Sequence, residues 1–369
     1  MTGETDLPEP DAAPGAPHPR HAAQLFGQAR AEAAFLSAVR SGRLHHAWLI
    51  AGPKGVGKAT LAWRLARFLL TVTDLETAAT LDPAAGHPAL PRIAALAEPR
   101  LKLIRRGHDL SGREPRLRTR ITVDEVRALA GFFGLSAADG GRRVVIVDAA
   151  DDMTPNAANA VLKLLEEPPQ GAVLLLVAHQ PSRLLPTIRS RCRVLPCAPL
   201  DAAGLAAALD QAGCGDGAAP DALAALAGGS AGRAVALAME GGAEAYASLV
   251  TLMSGAPGLD RAALAELAAA CAGREAQPRF DLTLDLIDLL LHRLARTGAA
   301  GRPAPEAAPG EAAMLARLSP GLRAARVWAE TTAATERARR GAAVNLDPAG
   351  LILDTGLALD RAAGRAAAP

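Results

Sequence analysis

The sequence predicts an α/β protein: a parallel sheet with helices on both faces, followed by segments that are helical throughout. Three observations predict it. An apolar run at Ala47–Ala51 meets a glycine-bounded loop and then an apolar-periodic helix at Leu61–Leu70. Two further continuous apolar runs, Arg143–Asp148 and Ala172–Val177, alternate with helical spacing, as strands buried on both faces do. Beyond Gly242 every periodic stretch has helical spacing.

Taken in order, residues 1–20 are acidic, Pro- and Ala-rich and without periodicity, and are expected to be a disordered tail. Leu25–Phe26–Gly27–Gln28 opens a helix that runs to about Arg40 and stops at Ser41–Gly42. His45 and His46 lead into the first strand and are expected to be satisfied, partly buried histidines, with a place beside a bound base as the alternative. Residues 71–97 are punctuated by Ala, Pro and Gly and carry no clear element. Residues 100–120 hold eight Lys and Arg against two acids, which fits a solvated loop or hairpin, or contact with DNA or an acidic partner. Helical spacing returns at Ile121–Leu129, with apolar positions at 123, 126 and 129–130.

After the strand ending in Asp148, a helix begins near Pro155 and is stopped by Glu166–Glu167–Pro168–Pro169. A short helix at Leu184–Ser190 and a last strand at Cys192–Leu195 follow. Small helices are expected at 201–213 and 221–227, with a third from Gly228. The remaining helices fall at Glu244–Met253, Asp260–Ala272, Pro278–Ala295, Glu311–Leu318, Gly321–Arg340 and Asp347–Ala363, with an exposed loop at Arg296–Pro309.

Composition narrows the chemistry. The formal net charge of the 369 residues is +2, so contact with nucleic acid would need a local patch. Half the residues are apolar but only 3% are aromatic, which suits close packing of small residues between helices. The four cysteines form no CxxC pair and no secretory signal precedes them, so reduced thiols, no metal site and a cytoplasmic setting are expected. No apolar run reaches the ~18 residues of a membrane span, and no membrane contact is expected.

Gly52, Gly57 and Lys58 fall on the phosphate-loop pattern G-x-x-x-x-G-K-[ST], with Gly55 between them. Only four of the 40 basic residues are lysines, so a lysine at this position stands out against an arginine-rich background. In such a loop the backbone N–H groups wrap a phosphate, the lysine neutralises it and the helix N-terminus adds partial positive charge. The hydroxyl that would reach Mg²⁺ is missing: Ala59 stands there, and Thr60 comes one place late. Asp148, at the end of its strand, would lie beside the loop and take Mg²⁺, or would cap the next turn.

The segment Asn159–Ala160–Val161–Leu162–Lys163–Leu164–Leu165–Glu166–Glu167–Pro168–Pro169 resembles the NALLKxLEEPP block of AAA+ clamp-loader proteins. Leu184–Cys192 resembles their LPTIxSRC block, Leu25–Gly27–Gln28 their opening motif, and Gly229–Ala234 their sensor-2 segment. Together these identify a resemblance, over most of residues 21–240, to the delta-prime family of the bacterial DNA polymerase III clamp loader. Asn345–Leu346–Asp347–Pro348 looks like a collar signature.

The resemblance implies a P-loop AAA+ domain at 21–198, a small helical lid at 199–241 and an all-α collar that oligomerises at 242–369. It implies partners: motor subunits of the gamma/tau type, a delta-type subunit and, through the complex, the sliding clamp and primed DNA. It implies a site for ATP or ADP with Mg²⁺ at Gly52, Gly55, Gly57, Lys58, Ala59, Thr60, Asp148 and Arg233. Hydrolysis is not expected, because the position of the water-orienting Glu is Ala149 and the sensor-1 position falls at Ala178 or His179. Arg191, in the Ser-Arg-Cys context, would be an arginine finger for a neighbour's ATP. Family members often carry a cysteine-built zinc module, and with no cysteine before Cys192 none is expected here. Two alternatives are a self-sufficient AAA+ ATPase of the gamma/tau type and a small-molecule P-loop kinase. Ala59 and Ala149 argue against the first, and the kinase has no use for the Ser-Arg-Cys block or the helical last third.

Overall fold

A computed structural model describes residues 9–12, 16–109, 115–134, 141–214, 220–301 and 305–367. Parts of the N-terminal tail (1–8, 13–15), of the basic run (110–114) and of the 296–309 loop (302–304) lie outside the described residues. The chain divides into two compact units, Met1–Ala212 with Gly229–Arg233, and Gly213–Gly228 with Ala234–Pro369. The division passes through residues 199–241, the segment that the sequence sets apart as a lid.

The first unit is built on strands β1 (Ala47–Ala51), β2 (Leu101–Arg105), β5 (Arg143–Asp148), β6 (Ala172–Ala178) and β7 (Arg193–Pro196), with a small antiparallel pair, β3 (His108–Asp109) and β4 (Arg116–Leu117). The five long strands form one parallel sheet in the order β2-β5-β6-β1-β7. Its helices are α1 (Ala29–Arg40), α2 (Lys58–Thr71), α3 (Ala89–Ala94), α4 (Val123–Gly134), α5 (Pro155–Glu166), α6 (Pro186–Ser190) and α7 (Ala202–Gln211).

Every residue of β5 and β6 is buried, which is why they read as unbroken apolar runs rather than as alternation. Alternate residues serve opposite faces. Leu49, Val145, Val147, Leu174 and Leu176 join Ile121, Val126 and Leu129 of the α4 side and Val161, Leu165 and Ile188 of the α5–α6 side. On the other face Trp48 meets Phe35 of α1, with ring centroids 4.7 Å apart. Trp63 and Phe68 of α2 are fully buried, as core residues. α5 starts at a cap, with the Thr154 hydroxyl accepting from Ala157 N–H and Pro155 at the first helical position.

Three expectations change here. Residues 71–97 contain a helix, α3. The basic run is neither a free loop nor only a hairpin: its first part is β2, an edge strand of the main sheet in register with β5, and the β3–β4 hairpin follows. Several of its described arginines are engaged within the chain. Arg100 pairs with Glu98 at 2.8 Å, Arg105 with Asp11 at 2.5 Å and Arg106 with Asp152 at 3.5 Å, and Arg120 donates to Met153 O at 3.1 Å. The tail also departs from disorder where it is described. Asp11 and His18 are buried against each other at 3.2 Å, and Arg67 donates to Arg20 O at 3.0 Å. Its acids found basic partners on the sheet edge, a match that composition does not reveal.

The second unit contains α8 (Pro220–Ala227), most of α9 (Ala231–Met239), α10 (Gly242–Ser254), α11 (Arg261–Ala269), α12 (Gln277–Ala300), α13 (Glu311–Leu318), α14 (Leu322–Ala343) and α15 (Pro348–Ala367). α12, α14 and α15 pack successively, around a core that includes Phe280, Leu284, Ala338 and Ile352. Gly298 lets α12 approach α14: a methyl group there would lie 2.6 Å from Gly321 O. The exposed loop expected at 296–309 is shorter. α12 continues to Ala300, and Ala307 and Ala308 are buried beside Glu311. Among the described residues no helix is long and apolar enough to cross a membrane.

Candidate functional site

The parallel register brings the candidate residues to one edge. β1 ends at Ala51 opposite Ala178 of β6, and β6 pairs Val177 with Asp148 of β5. The loop after β1, the carboxylate after β5 and His179 after β6 therefore share the carboxyl end of the sheet, where open α/β sheets bind ligands. Gly52 N–H donates to Ala178 O at 3.3 Å, which ties the start of the loop to β6.

Gly57 caps α2 with φ 96°, a left-handed conformation that a side chain resists. Gly55, φ +80°, faces the 229–233 segment so closely that a methyl group would lie 2.2 Å from Ser230 Oγ. Gly232 N–H donates to Gly55 O at 3.0 Å. The loop therefore ends at the amino terminus of a 14-residue helix, with unpaired helical N–H groups and the positive end of the dipole.

Lys58 is buried, and its Nζ donates to Pro53 O at 2.5 Å. Burial pushes its pKa down to about 8, against the opposing pull of Asp148, Cys197 and Asp151. Asp148 is pushed up to about 7, first by burial and then by the charge of Asp11, with Lys58 opposing. Both groups thus sit near neutrality, each held there chiefly by desolvation. His179 is pushed down to about 4 by burial and by the Lys58 charge. Its Nδ1 is buried and has no hydrogen-bond partner among the described residues.

The oxygen ligands expected of a Mg²⁺ site are sparse. Ala59 and Ala149 offer none, and Thr60 is on the first turn of α2, one place beyond the ligand position. Asp151 is committed elsewhere: its carboxylate accepts from His179 N–H at 3.0 Å and Gln180 N–H at 2.9 Å. Asp152 pairs with Arg106.

Arg233 is exposed, and its N–H donates to Ser230 Oγ at 3.2 Å, one residue from the Gly232–Gly55 bond. The 229–233 segment is thus brought to the loop after β1. Arg191 makes its contacts elsewhere, at the end of α6: Nη1 donates to Thr187 O at 3.2 Å, and Nη2 lies 3.0 Å from Glu166 Oε1. His45 and His46 stack at 4.4 Å, and His46 Nε2 lies 3.1 Å from Leu165 O, which matches the satisfied-histidine reading.

Two contributors were not singled out as site residues from the sequence. Gln28 is buried, and its amide donates to Val56 O at 2.9 Å and Ala198 O at 2.8 Å while accepting from Ala198 N–H. It ties the start of α1 to the phosphate loop and to the end of β7. In the sequence it stood only as part of the opening motif, with no role at the site. Cys197 is the second. Its thiol is pushed up to about 11 by burial, with the Lys58 charge opposing, so it is a neutral wall of the site.

Residues 27–201 match the family model described as "DNA polymerase III, delta subunit". The DNA polymerase III subunit delta' of Pseudomonas aeruginosa is 43% identical over 166 residues, 45% of this chain and 46% of that protein. The subunit delta' of Bacillus subtilis is 35% identical over 164 residues, 44% and 45% of the two chains. The DNA polymerase III subunit tau of Escherichia coli is 30% identical over 174 residues, 47% of this chain and 25% of that protein. The chain thus spans under half the length of each of these relatives. The phosphate-loop α/β domain and the all-helical region are the fold class that the sequence resemblance implied. Over residues 27–201, the chain is similar to the delta' subunits of DNA polymerase III.

Proposed function

We propose that the whole chain acts as a non-hydrolysing, delta-prime-type clamp-loader subunit in the cytoplasm. In this reading it assembles with motor subunits of the gamma/tau type and a delta-type subunit, packs its 242–369 collar against theirs, and supports loading of the sliding clamp at primed DNA. The observation that carries the reading is a phosphate cradle without the groups that would use it. Gly57 and Lys58 open α2 as an anion site needs, whereas Ala59 and Ala149 supply no oxygen. The donor set therefore suits the phosphates of ATP or ADP, held by the 52–58 backbone, Lys58 and Arg233. It does not suit a protein-held Mg²⁺, since Asp151 and Asp152 are engaged by other groups and burial favours the neutral form of Asp148. A bound nucleotide would supply negative charge opposite Lys58 and the N-terminus of α2.

Catalysis of phosphoryl transfer is positioning plus electrostatics, so a site lacking both the metal hydroxyl and the water-orienting carboxylate should be silent. The arginine that this chain contributes would act on a neighbour: Arg191 completes the ATP site of an adjacent motor subunit. An arginine finger is worth roughly 10³–10⁵ in rate in related NTPases.

Two assays test the proposal. The purified chain should show no ATP turnover above background, and substantial turnover would mean an active gamma/tau-type motor instead. In a complex reconstituted with motor and delta-type subunits, Arg191→Ala should lower ATPase by at least tenfold while assembly by size-exclusion chromatography is unchanged. Loss of assembly would make Arg191 structural.

A further inference from the structure

Two motifs that are separate in the sequence meet in space. α5 ends at Glu166, stopped by Glu167, Pro168 and Pro169, and α6 packs against α5 and ends at Arg191. Glu166 sits in the last turn of α5, at the negative end of the helix dipole, where an acid is disfavoured. Its carboxylate lies 3.0 Å from Arg191 Nη2. On the other side of the fork, Arg191 Nη1 donates to Thr187 O at 3.2 Å.

Stability does not account for this arrangement. The two side chains are 38% and 49% exposed, and pairs this open contribute little, under ~1 kcal/mol. Geometry accounts for it better. A free arginine carries about 2 kcal/mol of rotamer entropy, which it must lose before a planar, two-pronged contact with phosphate can form. Two anchors, one on each Nη, remove most of that freedom in advance. Nε and the second hydrogen on each Nη keep their capacity to donate.

We propose that Glu166 is a positioning residue for Arg191: it holds the guanidinium in place for the γ-phosphate of a neighbouring subunit's ATP. This rests on the reading of Arg191 as a finger supplied to that neighbour. Glu166 touches no substrate and acts only through Arg191. A carboxylate is the suited anchor because it is planar and accepts from the same fork. It also gives the Glu-Glu-Pro-Pro block a role, since the proline pair ends α5 where Glu166 can reach α6.

The test is a double-mutant cycle on the reconstituted complex, reading kcat and KM for ATP separately. Glu166→Ala should lower kcat by roughly three- to thirtyfold at unchanged KM, with Glu166→Gln in between because its amide oxygen still accepts. Arg191→Ala should lower kcat further, and Arg191→Ala with Glu166→Ala should match Arg191→Ala alone. Thermal unfolding of each isolated variant, and chromatography of each complex, should match the wild type. If Arg191→Ala lowers kcat and Glu166→Ala does not, the positioning role falls and the pair is a surface ion pair. If Glu166→Ala raises kcat, the carboxylate restrains the arginine, and the proposal is overturned. If the double variant falls well below Arg191→Ala, Glu166 acts by another route and the proposal is likewise overturned. If Arg191→Ala itself is silent, the finger reading fails and the positioning role fails with it.

Discussion

Single residues set the charge state of the candidate site. Asp148 and Lys58 are both buried, and desolvation moves their pKa values toward each other, to about 7 and about 8. This has a consequence for stability. An exposed Asp titrates near ~4, so between about pH 4 and pH 7 the folded chain keeps a proton on Asp148 that the unfolded chain has released. That contribution to stability is complete below about pH 4 and is lost as pH rises through about 7. Asp148→Asn removes the titration. The variant should match the wild type in urea unfolding at pH 4 and exceed it at pH 8 by on the order of 2 kcal/mol. The gain is trimmed because Lys58 loses a nearby counter-charge. A variant less stable than wild type at pH 8 would show that the ionised pair, rather than the neutral acid, is the favoured form.

At the scale of elements, glycine does opposite things in two helices of the second unit. Gly298 on α12 faces α14 with no room for a side chain: a methyl group would meet Ser319 Oγ at 2.5 Å and Gly321 O at 2.6 Å. Gly364 on α15 is exposed and has nothing within 4 Å of its missing methyl group. Overpacking costs roughly 1–3 kcal/mol, whereas replacing an unconstrained helical glycine gains up to ~1 kcal/mol. Gly298→Val should therefore lower the denaturant midpoint and Gly364→Ala should raise it slightly. Equal effects would mean that α12 and α14 do not approach as closely as described. The same reasoning explains why an alanine- and glycine-rich composition gave a packed helical unit: the small residues let α12, α14 and α15 come together.

At the scale of a whole folding unit, one buried charge network organises the second. Glu311 is fully buried and accepts from Arg293 Nη2 at 2.9 Å, from Tyr246 Oη at 2.7 Å and from Ala307 N–H at 2.6 Å. It thereby joins α10, α12, α13 and the loop before α13. Burial, then the hydrogen bond to Glu311, pushes the Tyr246 hydroxyl well above the usual phenol range, so it stays a neutral donor. Removing one member of a buried pair strands the other. Glu311→Ala should destabilise the chain by about 3–5 kcal/mol in equilibrium unfolding. Replacing Arg293 by Met in the same chain should recover part of that loss. If the single variant costs under ~1 kcal/mol, Arg293 must reach water when its partner is gone.

The sequence by itself determined the three inner strands and the phosphate loop. Strands buried on both faces must be apolar without interruption, and a loop that wraps phosphate needs Gly52, Gly57 and Lys58 at fixed spacing. It also determined the departures at Ala59 and Ala149, which are matters of residue identity. Only the tertiary structure decided which charges are partnered. β2 was hidden in a basic run because an edge strand, paired on one side only, tolerates Lys102 and Arg105 between its apolar residues. The acids Glu9 and Asp11 looked like part of a solvated tail until Arg20 and Arg105 were placed beside them. Arg191 shows the same limit: its residue type and context named it as a candidate, and Glu166 became its partner only when α5 and α6 packed together. Periodicity records what is buried. A pairing between residues far apart in the chain leaves no local pattern, because either partner alone is compatible with solvent.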